Sequence, residues 1–97
     1  MAQQQAEEIA IDVTGWLCGQ EELLPVFLAA SGASTDDLRT ALGSSEGPDT
    51  VFLVAVLDFI LMRDDTVLAC AKELGRPPEA LLQAHAVLSG AAQTHWT

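Results

Sequence analysis

Apolar side chains recur at helical spacing along most of the chain, and glycines, prolines and short polar turns interrupt them. In the first segment Ile9, Val13 and Trp16 share one helical face. The most apolar run, residues 51–62, is longer than a typical strand and therefore also predicts a helix. The punctuation divides the sequence into six predicted helices, at residues 4–18, 20–31, 35–42, 49–62, 64–74 and 78–89.

This pattern predicts an all-α fold, a compact bundle of about six short helices that forms one domain over residues 1–97. We expect the tail, residues 91–97, to fray. When the chain is aligned with itself so that Ile9 meets Phe52, Trp16 meets Phe59 and Gly32 meets Gly75, apolar positions match along both halves. The alternative architecture is therefore two three-helix units packed together.

The helix boundaries account for many of the glycines and acidic residues. Glycines follow several predicted helices, where a left-handed residue commonly ends the helix: Gly19, Gly32, Gly75 and Gly90. Pro25 comes late for a first-turn proline and predicts a shift or kink. The acidic pairs fall near predicted helix starts, where the helix dipole favours anions: Glu7-Glu8, Glu21-Glu22, Asp36-Asp37 and Asp64-Asp65.

The charge balance excludes several classes of function. Fourteen acidic residues against four basic ones give a net charge of -10, while 49% of the residues are hydrophobic. Such a surface does not favour nucleic acid or an anionic membrane, so we predict neither as a partner. The aliphatic content is too high for a disordered acidic tail. The first residues show no signal peptide, which predicts a cytoplasmic protein.

The residues that could carry chemistry are few and scattered. Cys18 and Cys70 lack a CxxC spacing and lie in apolar patterns, so we predict two buried thiols rather than a redox pair. The two histidines and two cysteines show no metal-ligand spacing, and no phosphate-binding glycine loop is present. We therefore predict no cofactor and no metal site, and expect no enzymatic activity.

Two polar residues on apolar helices are candidates for a functional role. Asp58 lies in the middle of the most apolar helix. It is either solvent-exposed or paired with a cation, for which Arg39, Arg63 and Lys72 are available, or it is a functional carboxylate. His85 lies near the apolar side of the last helix, where a histidine at the core edge with one hydrogen bond is the simpler interpretation.

The surplus of apolar residues suggests an interaction surface. The helix predicted at residues 49–62 is apolar nearly all round, and a small domain buries only part of such a helix. It is either central and covered, or it helps to leave an exposed patch for a partner or a second copy. The residues that such a patch would draw on are Val51, Leu53, Val54, Phe27, Trp16 and Trp96.

Three segments carry a resemblance to a known family: FLAASGASTDDLR from Phe27, FLVAVLDFIL from Phe52, and the turn from Gly75 to Pro78-Glu79 before the last helix. They resemble an uncharacterised family of small alphaproteobacterial proteins with a domain of unknown function, helical and about 90 residues long. The resemblance covers residues 6–88. It implies a bacterial cytosolic protein and carries over no active site.

These observations lead to three hypotheses of function. The first is a non-enzymatic protein-interaction module that binds a partner with a basic surface or forms a homodimer. The alternative is a binder of a small apolar ligand in a cavity between the last three predicted helices. The third is an enzyme that uses Asp58.

Overall fold

The computed structural model describes residues 1–32, 34, 36, 40 and 50–93. Five helices lie in these ranges: α1 (Gln3–Cys18), α2 (Leu23–Ser31), α3 (Thr50–Leu61), α4 (Asp64–Leu74) and α5 (Pro78–Gln93). No strand occurs in the described ranges, which confirms the all-α class. The predicted helix at residues 35–42 lies largely outside them, so five of the six predicted helices are seen.

The core forms where α1, α3 and α5 pack on one another. Each helix buries residues spaced three or four apart, because that spacing places side chains on one face. On α3 these residues are Leu53, Val56, Leu57 and Ile60, all at most 1% exposed. Burying one aliphatic side chain of this size stabilises the fold by roughly 1.5–3 kcal/mol. The central position predicted for this helix is therefore confirmed on that face.

A second feature of the core argues against two separate three-helix units. The most extensive helix contact joins α1 to α5, at opposite ends of the chain. The buried apolar residues also form one cluster to which α1, α2, α3, α4 and α5 all contribute. The two halves of the chain therefore share a core.

Aromatic contacts fix α2 beside α3. Phe27 is 1% exposed. Its ring meets the edges of Phe52 and Phe59, with ring centroids 6.3 and 5.4 Å away. Edge-to-face geometry of this kind stabilises aromatic pairs beyond the area that they bury. The expectation that Phe27 lies in an exposed patch is wrong, because its ring anchors α2 to the core.

The helix ends match the glycine predictions in part. Gly32 has φ 76° and Gly75 has φ 67°, so both adopt the predicted left-handed conformation. Gly19 has φ -88° and does not. Its amide donates to the carbonyl of Trp16 over 3.0 Å, a tight turn that requires no left-handed residue. Gly90 does not end the last helix, because α5 continues to Gln93.

The first turns of the helices hold fewer acidic residues than predicted. Asp64 and Asp65 lie in the first turn of α4, as expected. The first turns of α1 and α2 contain no acidic residue, because Glu7-Glu8 come after the first turn of α1 and Glu21-Glu22 precede α2. The expectation is wrong for Glu7-Glu8, whereas Glu22 is the N-cap residue of α2 and so lies at a helix start, although its side chain makes no capping hydrogen bond.

The late start of α2 also explains Pro25. Because α2 begins at Leu23, Pro25 is its third residue, where a backbone N–H has no partner within the helix. The proline therefore removes no helical hydrogen bond. The shift that Pro25 predicted takes the form of a late start, because α2 begins three residues after position 20.

Candidate functional site

The two polar candidates meet on the surface of the bundle. Packing of α3 against α5 brings Asp58 to His85, and His85 Nε2 lies in hydrogen-bond contact with Asp58 Oδ1. Asp58 is exposed and His85 is half-buried. The interpretation of His85 as a core-edge histidine with a hydrogen bond is confirmed, and Asp58 is both exposed and paired.

Within the described ranges, Arg63 and Lys72 do not pair with Asp58. Arg63 pairs with Asp65, over 3.2 Å between Nη2 and Oδ2. Lys72 forms no ion pair within the described ranges, and Arg39 lies outside them. Of the three possible partners, Arg63 and Lys72 are therefore not the partner of Asp58, and the possibility of Arg39 lies outside the described residues. Sequence spacing did not show that α5 places His85 opposite Asp58.

Ser89 completes a serine, histidine and carboxylate group whose geometry does not suit nucleophilic catalysis. Ser89 Oγ lies 3.5 Å from His85 Nε2, the same nitrogen that contacts Asp58. In a catalytic triad the carboxylate holds one imidazole nitrogen and the nucleophile uses the other. Here the Asp58 carboxylate and the Ser89 hydroxyl contact the same nitrogen of His85, so the arrangement fits a polar contact on the surface.

A different feature, a groove beside α2, runs past one side of this pair. It begins at a cleft of about 490 Å³ between the end of α1, the α1–α2 turn and the first turn of α4. We call this the Trp16 cleft, and its walls include Trp16, Glu21, Glu22, Leu23 and Thr66.

Two smaller hollows continue the groove between α2 and α3. The first, of about 200 Å³, shares Leu23 and Thr66 with the Trp16 cleft and adds Val26, Phe59, Met62 and Arg63. The second, of about 210 Å³, shares Phe59 and Met62 with the first and extends to Asp58, Ala55 and Ala30. Neighbouring hollows share wall residues and therefore adjoin one another, and we call the three together the α2 groove.

Exposed apolar side chains line this groove. Val26 is 54% exposed and Met62 is 77% exposed. Met62 directly follows the last residue of α3, and the α2 groove brings it beside Ala55 and Asp58. Val51, at 61% exposed, lies one turn before Ala55. Solvent therefore reaches an apolar surface that the core does not need.

Negative charge lies at both ends of the groove. Glu21 and Glu22 are exposed beside Trp16 and form no ion pair within the described ranges. Asp58 lies at the opposite end. The only cation among the lining residues, Arg63, is already paired with Asp65. The α2 groove thus combines an apolar centre with acidic ends.

Comparison with known proteins gives a family for this fold. Residues 3–91 match the model of a family described as a protein of unknown function, DUF3572. The chain belongs to this family. No curated protein and no solved structure matches the chain. The resemblance to a domain of unknown function is therefore confirmed, and the α2 groove is a feature of a DUF3572 structure.

The other candidates of the predicted patch occupy mixed positions in this DUF3572 structure. Val54 and Trp16 are half-buried and pack against the core, while Leu53 is buried. The indole Nε1 of Trp16 is buried without an acceptor among the described residues. Trp96 lies outside the described ranges.

A hollow outside the α2 groove, which we call the α4–α5 hollow, lies where we expected a ligand cavity. It measures about 280 Å³ and is formed by α3, α4 and the start of α5. Leu68 and Leu82 line it, and each is more than half exposed. The hollow lies below the 300–1,000 Å³ of typical ligand pockets, which also enclose most of their ligand.

The two thiols differ, although we expected both to be buried. Cys70 is buried, and its burial raises the pKa of the thiol to about 11. Cys18 is exposed, so that prediction is wrong, because the helix turns by about 100° from the buried Leu17 to the next residue. Desolvation also raises the pKa of the Cys18 thiol.

The described ranges hold neither a metal-binding cluster nor a membrane-spanning helix. They contain no group of three histidine, cysteine, aspartate or glutamate side chains placed to hold a metal ion. No helix within them has the length and apolar character needed to cross a membrane.

Sequence reasoning missed the residues that build the α2 groove, above all Val26, Met62, Glu21 and Glu22. One signal was present for Met62, because the spacing of Val51, Asp58 and Met62 places all three on one helix face. The packing of α2 against that face depends on contacts between helices, which periodicity within one helix does not reveal.

Proposed function

We propose that this DUF3572 protein is a non-enzymatic protein-interaction module that binds its partner in the α2 groove. The observation that carries the proposal is the row of adjoining hollows beside α2, whose walls include the exposed apolar side chains of Val26 and Met62. Exposed apolar surface that is contiguous and has a polar rim is typical of protein interaction sites. In this proposal the protein acts in the bacterial cytoplasm.

The proposal is favoured over the two other hypotheses. A ligand binder needs an enclosing cavity, whereas the hollow between α3, α4 and α5 is small and has exposed leucines in its walls. An enzyme that uses Asp58 in a serine–histidine–aspartate triad needs the carboxylate and the nucleophile on different imidazole nitrogens, whereas Asp58 and Ser89 contact the same histidine nitrogen.

Site-specific photocrosslinking tests the proposal. A photoreactive amino acid replaces Met62 in one variant. In a matched variant it replaces Leu82, which lines the α4–α5 hollow. Both positions are exposed, so neither replacement disturbs the core. We expect a protein adduct of defined mass from position 62 in cells, and none of that mass from position 82. Equal adducts from both positions, or none from position 62, would contradict the proposal.

A further inference from the structure

We infer that the partner segment in the α2 groove is a basic amphipathic helix, with lysine or arginine side chains beside Glu21 and Glu22. This inference rests on the proposed function and names the chemistry of the partner. The evidence comes from the shape of the groove, the distribution of charge, and the unsuitability of a second copy of the chain.

The shape of the groove fits a short helix. The groove follows α2, whose nine residues span about 13 Å at a rise of 1.5 Å per residue. The two hollows of about 200 and 210 Å³ both have Met62 in their walls. Apolar anchors one or two turns apart on a partner helix would enter these hollows, as helices do in other hydrophobic grooves.

The charge of the groove selects a basic helix. Within the part of the chain that the structure describes, Glu21 and Glu22 border the Trp16 cleft without an ion pair, and Asp58, which already contacts His85, stands at the opposite end. The chain as a whole carries a net charge of -10. Cations at the ends of the partner helix would therefore be attracted, and like charges would be repelled at each of these positions.

A second copy of the chain fits the groove poorly. A second copy carries fourteen acidic and only four basic residues, so it offers few cations to meet Glu21 and Glu22, and the two copies repel each other through their net charge of -10. Placing like charges against one another in an interface costs several kcal/mol. The homodimer thus becomes an outcome of the test, measured by sedimentation of the free protein.

The test uses a synthetic peptide of about 14 residues, enough for nearly four helical turns. Leucines occupy positions i, i+4 and i+7, and lysines occupy the polar face. One control peptide replaces every lysine with glutamate, and another scrambles the order of the basic peptide. Binding is followed by the fluorescence of Trp16 in the Trp96→Phe protein, which leaves Trp16 as the only tryptophan.

We expect saturable one-to-one binding of the basic peptide at about 0.15 M salt, at least about tenfold tighter than either control peptide. Val26→Thr with Met62→Gln keeps side-chain size and net charge, and should weaken binding at least about tenfold. Leu68→Gln with Leu82→Gln makes the same number of apolar-to-polar changes in the α4–α5 hollow. This variant should change the affinity for the basic peptide by less than about twofold.

A matched pair of charge variants separates local recognition from general attraction. Glu21→Gln with Glu22→Gln should weaken binding about fivefold, within the range of exposed charge pairs. Glu8→Gln with Glu73→Gln changes the net charge equally, at exposed residues outside the groove, and should change binding less than about twofold. Equal effects of the two pairs would overturn the inference, because the net charge alone would then attract the peptide.

Other outcomes separate this inference from the proposed function. If the glutamate peptide binds as tightly as the lysine peptide and is sensitive to Val26→Thr with Met62→Gln, the inference fails and the docking groove stands. If that double variant leaves the affinity for every peptide unchanged, the inference and the proposed function both fail. If the free protein sediments as a dimer that the same variant dissociates, a second copy occupies the groove and the inference is overturned.

Discussion

The two faces of α3 have similar composition but opposite environments. One face presents Leu53, Leu57 and Ile60 to the core, where each is at most 1% exposed. The other carries Val51 and Met62, both more than half exposed, with Asp58 between them. Apolar character alone therefore does not tell which of these side chains are buried in the core and which are exposed to solvent.

The largest effect that sharpens this comparison is expected from the buried face. Leu57→Ala should lower the free energy of unfolding by about 2–5 kcal/mol, because it removes buried methyl groups and leaves a cavity. Val51→Ala on the exposed face should change it by less than about 0.5 kcal/mol. Urea unfolding followed by circular dichroism measures both. Similar losses for the two variants would mean that both faces are covered.

A second prediction extends the comparison from α3 to the two thiols. Burial raises the pKa of Cys70 from 9.0 in the unfolded chain to about 11. The unfolded state therefore loses this proton first, and stability present below pH 9 is lost as the pH rises towards 11. The loss should be on the order of 2 kcal/mol at pH 11, measured by urea unfolding.

The Cys70→Ala variant is the control for this pH dependence. It should flatten the decline between pH 9 and 11, whereas Cys18→Ala should leave most of it, since Cys18 is exposed. Alkylation at neutral pH gives a second measure, with Cys18 reacting in the folded protein and Cys70 only after unfolding. A steep decline that persists in Cys70→Ala would assign it to other groups.

A third prediction concerns the polar residue on the exposed face. Asp58→Asn should lower the free energy of unfolding by no more than about 1 kcal/mol, because the Asp58–His85 pair is open to solvent. A double-mutant cycle with His85→Gln isolates the energy of the pair. A loss of several kcal/mol would show that Asp58 stabilises the core as much as the buried face does.

The sequence predicted much of the fold, because periodicity and glycine positions are local signals. They located α1, α3 and α4 within one or two residues at most boundaries, and the left-handed Gly32 and Gly75. The start of α2 and the end of α5 were missed, since proline and glycine are tolerated there without breaking the helix.

The candidate site was less predictable, because it depends on which helices meet. Asp58 and His85 were each singled out, but their contact arises from the packing of α3 on α5. Phe27 was expected at the surface, and only its contacts with Phe52 and Phe59 show why it is buried. The α2 groove combines residues of four elements, and no pattern within one element predicts it.

The smallest expected effect is the one on which the proposed function most depends. Val26→Thr with Met62→Gln should change the free energy of unfolding by less than about 0.5 kcal/mol per site, because both side chains are mostly exposed. Threonine matches valine in shape, and glutamine matches the length of methionine, so the surface contour is kept. Urea unfolding of this variant beside Leu68→Gln with Leu82→Gln is the measurement. If the groove variant alone loses several kcal/mol, Val26 and Met62 belong to the core, and the distinction between the two faces of α3 fails.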